Sequence, residues 1–167
     1  NDEKRIFSHT VIDGTAEAVF MFPGGGAQHV GMVQSLYRED ARFRAWIDEG
    51  LSYLPSKAAT DIRAAWFAED RQSEAAQAFL LPSLQLPAIL IAEIATARLW
   101  MHWGLRPSAL IGHSMGENAA ACIAGVMSYR DVVNLVRLRG ELFDSVEPGG
   151  MLSVPLSATQ LQQNVEY

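Results

Sequence analysis

A glycine-flanked serine, Gly112-His113-Ser114-Met115-Gly116, constrains this 167-residue chain more than any other stretch. The apolar run Ala109-Leu110-Ile111 precedes it, and Glu117 and the small-residue segment Asn118-Ala119-Ala120-Ala121-Cys122 follow it. A strand, a sharp turn and a helix form the setting of the G-x-S-x-G elbow, where a strained turn exposes a serine hydroxyl. The glycines at 112 and 116 remove side chains that would collide with the neighbouring strand and helix. A structural Gly-Ser-Gly turn without chemistry is the competing reading. Such a turn requires neither the apolar run before it nor the small-residue helix after it.

Further strand and helix signals surround the elbow. Ala18-Val19-Phe20-Met21-Phe22 is an apolar run of strand length that stops at the breaker cluster Pro23-Gly24-Gly25-Gly26. Residues 34–54 carry an apolar stripe of Leu36, Phe43, Trp46, Ile47, Leu51 and Leu54 with charges between, which predicts a helix. The Ala-rich stretch 58–80 reads as helical too. Pro82 and Pro87 bracket the start of a long helix through Trp103, with Gly104 as its stop. A helix is predicted over 129–144, a last strand over Met151–Leu156, and a final helix capped by Ser157. Strands alternating with helices predict an α/β fold with a parallel sheet.

Composition excludes several function classes. The net charge is −6 and no Lys/Arg cluster is present, which argues against nucleic acid and anionic membrane as partners. The longest apolar stretch, Leu86–Ala92, is too short to span a bilayer. The N-terminal residues are polar and no apolar signal segment follows them. Cys122 is the one cysteine, which fits a reduced, cytoplasmic setting, and no neighbour activates it. No metal-ligand spacing occurs.

The loop after the first apolar run lacks the third glycine of a dinucleotide fingerprint, because His29 stands there, and no Walker lysine follows. It reads as a turn that exposes backbone amides, or as a tight turn without chemistry. In acyl-transfer enzymes with a serine elbow, the oxyanion is held by the amide after the nucleophile and by one from an earlier loop. Here those are Met115 and a residue near Gly25. On a helical wheel of residues 130–144, Val132, Leu135, Val136 and Phe143 share a face with Arg139 at its middle. A guanidinium pointing inward needs an anion. Either Glu117 or Asp131 forms an internal salt bridge with it, or a bound carboxylate does. His113 is awkward as a base for Ser114, since adjacent strand residues point to opposite faces.

Phe22-Pro23-Gly24-Gly25-Gly26-Ala27-Gln28-His29-Val30-Gly31-Met32 resembles the opening motif of malonyl-transferase-type acyltransferase domains, and Gly112–Glu117 resembles their G-H-S-x-G-E elbow. Ala124-Gly125-Val126-Met127-Ser128 and Leu138-Arg139-Gly140 resemble the segments that follow in acyltransferase domains of bacterial type I modular polyketide synthases. The resemblance covers residue 18 onward. It implies an α/β-hydrolase-like large subdomain with a parallel sheet and nucleophile elbow, plus the start of a small ferredoxin-like subdomain. Residues 1–17 would be a linker from a preceding domain, 18–149 the N-terminal part of the large subdomain, and 150–167 the beginning of the small one.

The same resemblance implies roles. Ser114 takes a malonyl or methylmalonyl group from coenzyme A as an ester and passes it to the phosphopantetheine thiol of an acyl carrier protein. Arg139 grips the free carboxylate, the amides of Met115 and Gly25 form the oxyanion hole, and His113, Gln28 and Leu86 line the pocket. No cofactor is bound by the domain itself. Partners are the carrier protein, an adjacent ketosynthase and the rest of the same domain. Met115 after the serine resembles malonyl-type domains. Two positions depart from the family pattern: Gly25 and Leu86 each stand where glutamine is usual. The family's catalytic histidine lies downstream of the serine, yet the histidines here are at 9, 29, 102 and 113. This chain therefore reads as the N-terminal portion of a domain, inefficient as a transferase by itself. The competing functions are a serine hydrolase or thioesterase, and a non-catalytic scaffold piece.

Overall fold

The computed structural model describes residues 17–70, 72–147, 149 and 153–164. Two strands, β1 (Ala18–Phe22) and β2 (Pro107–Gly112), pair in parallel with Val19 opposite Ala109 and Met21 opposite Ile111. Parallel pairing needs a long crossover. Five helices supply it: α1 (Gln34–Glu39), α2 (Ala41–Ser52), α3 (Ser56–Trp66), α4 (Glu74–Ala78) and α5 (Pro82–His102). After β2 come α6 (Gly116–Ile123), α7 (Tyr129–Asp144) and α8 (Ala158–Asn164). The α/β fold with parallel strands is the one read from the sequence.

Helix α5 is the central post. Ile89, Leu90, Ile91, Ile94 and Ala95 are buried along it, and α7, α2, α3 and α6 pack around it. By length and composition α5 can cross a membrane, but 61% of its most apolar window is buried inside the fold, as in a core helix. Pro82 opens it at a position whose N–H has no helical partner to lose. The Asp144 carboxylate accepts from the Ser83 N–H at 3.2 Å, so the end of α7 ties to the start of α5. Gly140 makes that approach possible: a Cβ there would lie 2.7 Å from the Pro82 carbonyl oxygen.

Helix boundaries differ from the sequence pattern where polar caps intervene. The helix expected over 34–54 breaks at Asp40, whose carboxylate accepts from the Arg42 and Phe43 N–H groups at 2.8 and 2.7 Å and starts α2. The stretch 58–80 divides into α3 and α4, with Ser73 capping the latter. The strand expected over Met151–Leu156 is not formed by residues 153–156, which make a bend; Met151 and Leu152 lie outside the described residues. The Ser157 cap is formed. Its Oγ accepts from the Gln160 N–H at 3.3 Å while Gln160 Oε1 accepts from the Ser157 N–H at 3.0 Å, a reciprocal capping box. The expected linker, 1–17, lies outside the described residues except for Glu17.

Candidate active site

The turn after β2 is tight because backbone touches backbone on both sides of Ser114. A Cβ at Gly112 would lie 2.2 Å from the Glu117 nitrogen, and one at Gly116 would lie 2.3 Å from the Phe22 carbonyl oxygen. Either contact displaces main chain, so both positions admit glycine alone. Between them Ser114 has φ 53, one of two non-glycine residues with positive φ among those described. That left-handed conformation costs about 1–2 kcal/mol and is held here by the surrounding contacts. It leaves Ser114 exposed at the N-terminal end of α6, where the helix dipole favours negative charge.

The Pro23–Gly26 loop sits directly against this turn. The His113 N–H donates to the Phe22 carbonyl at 2.9 Å, stitching the two strand ends together. A Cβ at Gly24 would meet the His113 carbonyl oxygen at 2.8 Å and Ser114 Cβ at 3.1 Å. The Gly26 N–H is held by Gln28 Oε1 at 2.8 Å. Among the described residues neither the Gly25 nor the Met115 N–H donates a hydrogen bond. A strained serine, a helix N-terminus and two uncommitted amides on adjoining turns can hold a tetrahedral oxyanion.

This arrangement lies within the stretch, residues 19–166, that matches the acyl transferase domain family. The chain belongs to that family. It is 33% identical over 167 residues to the non-reducing polyketide synthase PKS16 of Cladonia grayi, covering 96% of this chain and 8% of the relative. Further relatives are bacterial polyketide synthases, among them GfsA of Streptomyces halstedii. The solved acyl transferase domain of ZmaA superposes with a TM-score of 0.84 at 34% identity, over 97% of this chain and 37% of that one. An acyl-carrier-protein S-malonyltransferase from Burkholderia pseudomallei 1710b superposes at 0.63 with 30% identity, over 80% of this chain and 40% of that one. The acyltransferase chain thus spans less than half the length of these solved relatives and a small fraction of the synthase.

Arg139 of the acyltransferase chain is not at the middle of the buried face. Tyr129, Val132, Val133, Val136 and Gly140 form that face, while Leu135 and Phe143 are exposed. At 100° per residue, Arg139 lies about 80° from its centre. The sequence wheel erred by counting Leu135 and Phe143 as core and omitting Val133. Nor does the internal salt bridge, one of the two readings of Arg139, form among the described residues. Glu117 and Asp131 are exposed, Asp131 accepts from the Ser128 hydroxyl at 2.6 Å, and Arg139 has no ion pair among the described residues. It is a half-buried cation without a partner among the described residues.

The other predicted positions separate. Leu86 is 7% exposed. Its Cδ2 lies 3.8 Å from where a Cβ at Gly25 would be, so the two departures from the family pattern face each other. Gln28 braces the loop through Gly26. His113 is exposed beside Gly24, and no histidine hydrogen-bonds Ser114 among the described residues. Burial pushes the Cys122 thiol up, which suits an inert residue. No cluster of metal-ligating side chains occurs among the described residues. Sequence reasoning overlooked Glu93. Its signal was one acid inside the apolar run of α5, and burial raises its carboxyl to about 8.

Proposed function

We propose that this chain is the N-terminal portion of an acyltransferase domain that loads a malonyl-type extender unit in polyketide synthesis. Ser114 Oγ attacks the thioester carbonyl of malonyl- or methylmalonyl-coenzyme A. The oxyanion rests on the Met115 and Gly25 amides, and the thiol of coenzyme A leaves with the proton. The phosphopantetheine thiol of an acyl carrier protein then attacks the Ser114 ester, and the serine hydroxyl is restored. Each oxyanion donor contributes about 3–4 kcal/mol in enzymes of this kind. Two-step transfer through an ester implies ping-pong kinetics. Arg139 holds the free carboxylate of the acyl group, so neutral acyl chains are disfavoured.

The observation that carries this reading is the elbow itself: Ser114 at φ 53 on a turn packed against Gly24, with Gly25 and Met115 amides that donate no hydrogen bond among the described residues. The unpaired Arg139 supports the carboxylate clamp. The base is a histidine from the remainder of the domain, since no histidine follows Ser114 here. The large subdomain is α/β-hydrolase-like, residues 1–17 are a linker, and residues from 150 begin a small ferredoxin-like subdomain. The setting is cytoplasmic, beside a ketosynthase.

Loading of radiolabelled malonyl-coenzyme A tests the proposal. In the intact domain Ser114→Ala abolishes label, and Arg139→Ala lowers malonyl loading by about 100-fold, the worth of a charge-assisted pair to a bound carboxylate. A serine hydrolase acting on neutral esters would be indifferent to Arg139→Ala. A scaffold piece would not react with a fluorophosphonate at Ser114. The isolated 167 residues turn over slowly or not at all, and turnover at the rate of the intact domain would refute the missing base.

A further inference from the structure

Among the described residues the two-stranded sheet is covered on one face only. Phe20, Phe22 and Leu110 point to the helices, whereas Val19, Met21 and Ile111 point away and are 50%, 76% and 56% exposed. Parallel sheets are stable when both faces are covered. A groove of about 550 Å³ runs along β1, lined by residues 19–23 of the strand side and by Ile89, Glu93, Thr96 and Trp100 of α5. Thr96 is already satisfied through the Ala92 carbonyl at 2.7 Å. Among the described residues Glu93 is the one ionisable side chain in the lining. Its Oε1 is out of solvent and has no hydrogen-bond partner among the described residues. Burial alone pushes the carboxyl to about 8, so at neutral pH it is mostly protonated. A carboxyl oxygen taken out of solvent without a partner costs stability until a partner arrives.

We propose that this groove seats a segment of the acyltransferase domain lying outside these 167 residues, and that the Glu93 carboxylic acid donates its O–H to a backbone carbonyl of that segment. This rests on the chain being one part of such a domain, as its 37% coverage of the solved ZmaA domain suggests. A peptide segment supplies both things the groove lacks: apolar contact for Val19 and Met21, and an acceptor for Glu93. A cationic partner would instead leave two desolvated charges in an apolar seam. A purely apolar ligand would leave Oε1 orphaned.

The test uses the intact domain in a Cys122→Ser background. Maleimide labelling of Met21→Cys is slower than that of Val126→Cys, a control site 76% exposed outside the groove, by at least about tenfold. Equal rates overturn the seat. The hydrogen bond is read from melting against pH. An acid whose folded-state pKa lies above its ordinary 4.5 stabilises the fold while protonated, so wild-type stability falls as pH rises from 4.5 toward about 8 or beyond. Glu93→Gln keeps a donor and an acceptor without titrating, and its profile lacks that slope. Glu93→Leu, similar in size but unable to donate, melts below Glu93→Gln at about pH 6. Parallel wild-type and Gln profiles, or a Leu variant as stable as Gln, overturn the bond. Malonyl loading on the same samples separates the two ideas. Slow labelling at position 21 without loading keeps the seat and refutes the transferase, while loading with fast labelling does the reverse.

Discussion

Around Ser114 the decisive quantity is the space left for one methyl group. Gly116→Ala places a Cβ 2.3 Å from the Phe22 carbonyl oxygen, where only main-chain movement relieves the clash. The expected loss is about 3 kcal/mol or more, read by denaturant unfolding. Gly25→Ala is the contrasting case. Its Cβ meets Leu86 Cδ2 at 3.8 Å, an ordinary contact, so stability changes by no more than about 0.5 kcal/mol. If Gly25→Ala unfolded the chain as Gly116→Ala does, the loop would be packed differently from this description. The elbow glycines were legible in the sequence because G-x-S-x-G has a steric cause. Gly24 was not, since its contact with Ser114 Cβ comes from another strand.

Helix ends follow local chemistry, and helix faces do not. Ser128 accepts from the Asp131 N–H at 3.1 Å and caps α7. Ser128→Ala is expected to cost about 1 kcal/mol, seen as a lower thermal midpoint with unchanged burial of Val132. The bounds of α5 and α7 were readable from Pro82, Gly104 and the run from Tyr129. The break at Asp40 was hidden because the apolar stripe continues through it. The orientation of α7 was misread because apolar residues lie around more than half of its circumference. Packing against α5, where Gly140 allows close approach, chose Val133 over Leu135.

At the scale of the whole molecule the uncovered sheet face governs behaviour. Met21→Lys is expected to reduce self-association of the 167-residue chain, measured by light scattering, because it breaks the patch formed with Val19 and Ile111. In the intact domain the same substitution is expected to lower the melting temperature, since a charge would enter a covered seam. Trp66 is fully buried, with its Nε1–H donating to the Met32 carbonyl at 3.1 Å. Trp66→Ala is expected to cost about 3–5 kcal/mol in unfolding experiments.

Short-range chemistry is written in the sequence: a serine between glycines, breakers after an apolar run, serines ahead of helices. Each acts within a few residues, so the elbow, the two strands and the family membership could be read from the chain alone. The partners of side chains far apart in sequence were decided only by the tertiary structure. Arg139 lies off the core face and has no ion pair among the described residues, Leu86 faces Gly25, and half-buried Glu93 keeps one oxygen without a partner among the described residues. These placements depend on which helices and strands pack together, a choice made by the summed contacts of the core rather than by any local pattern.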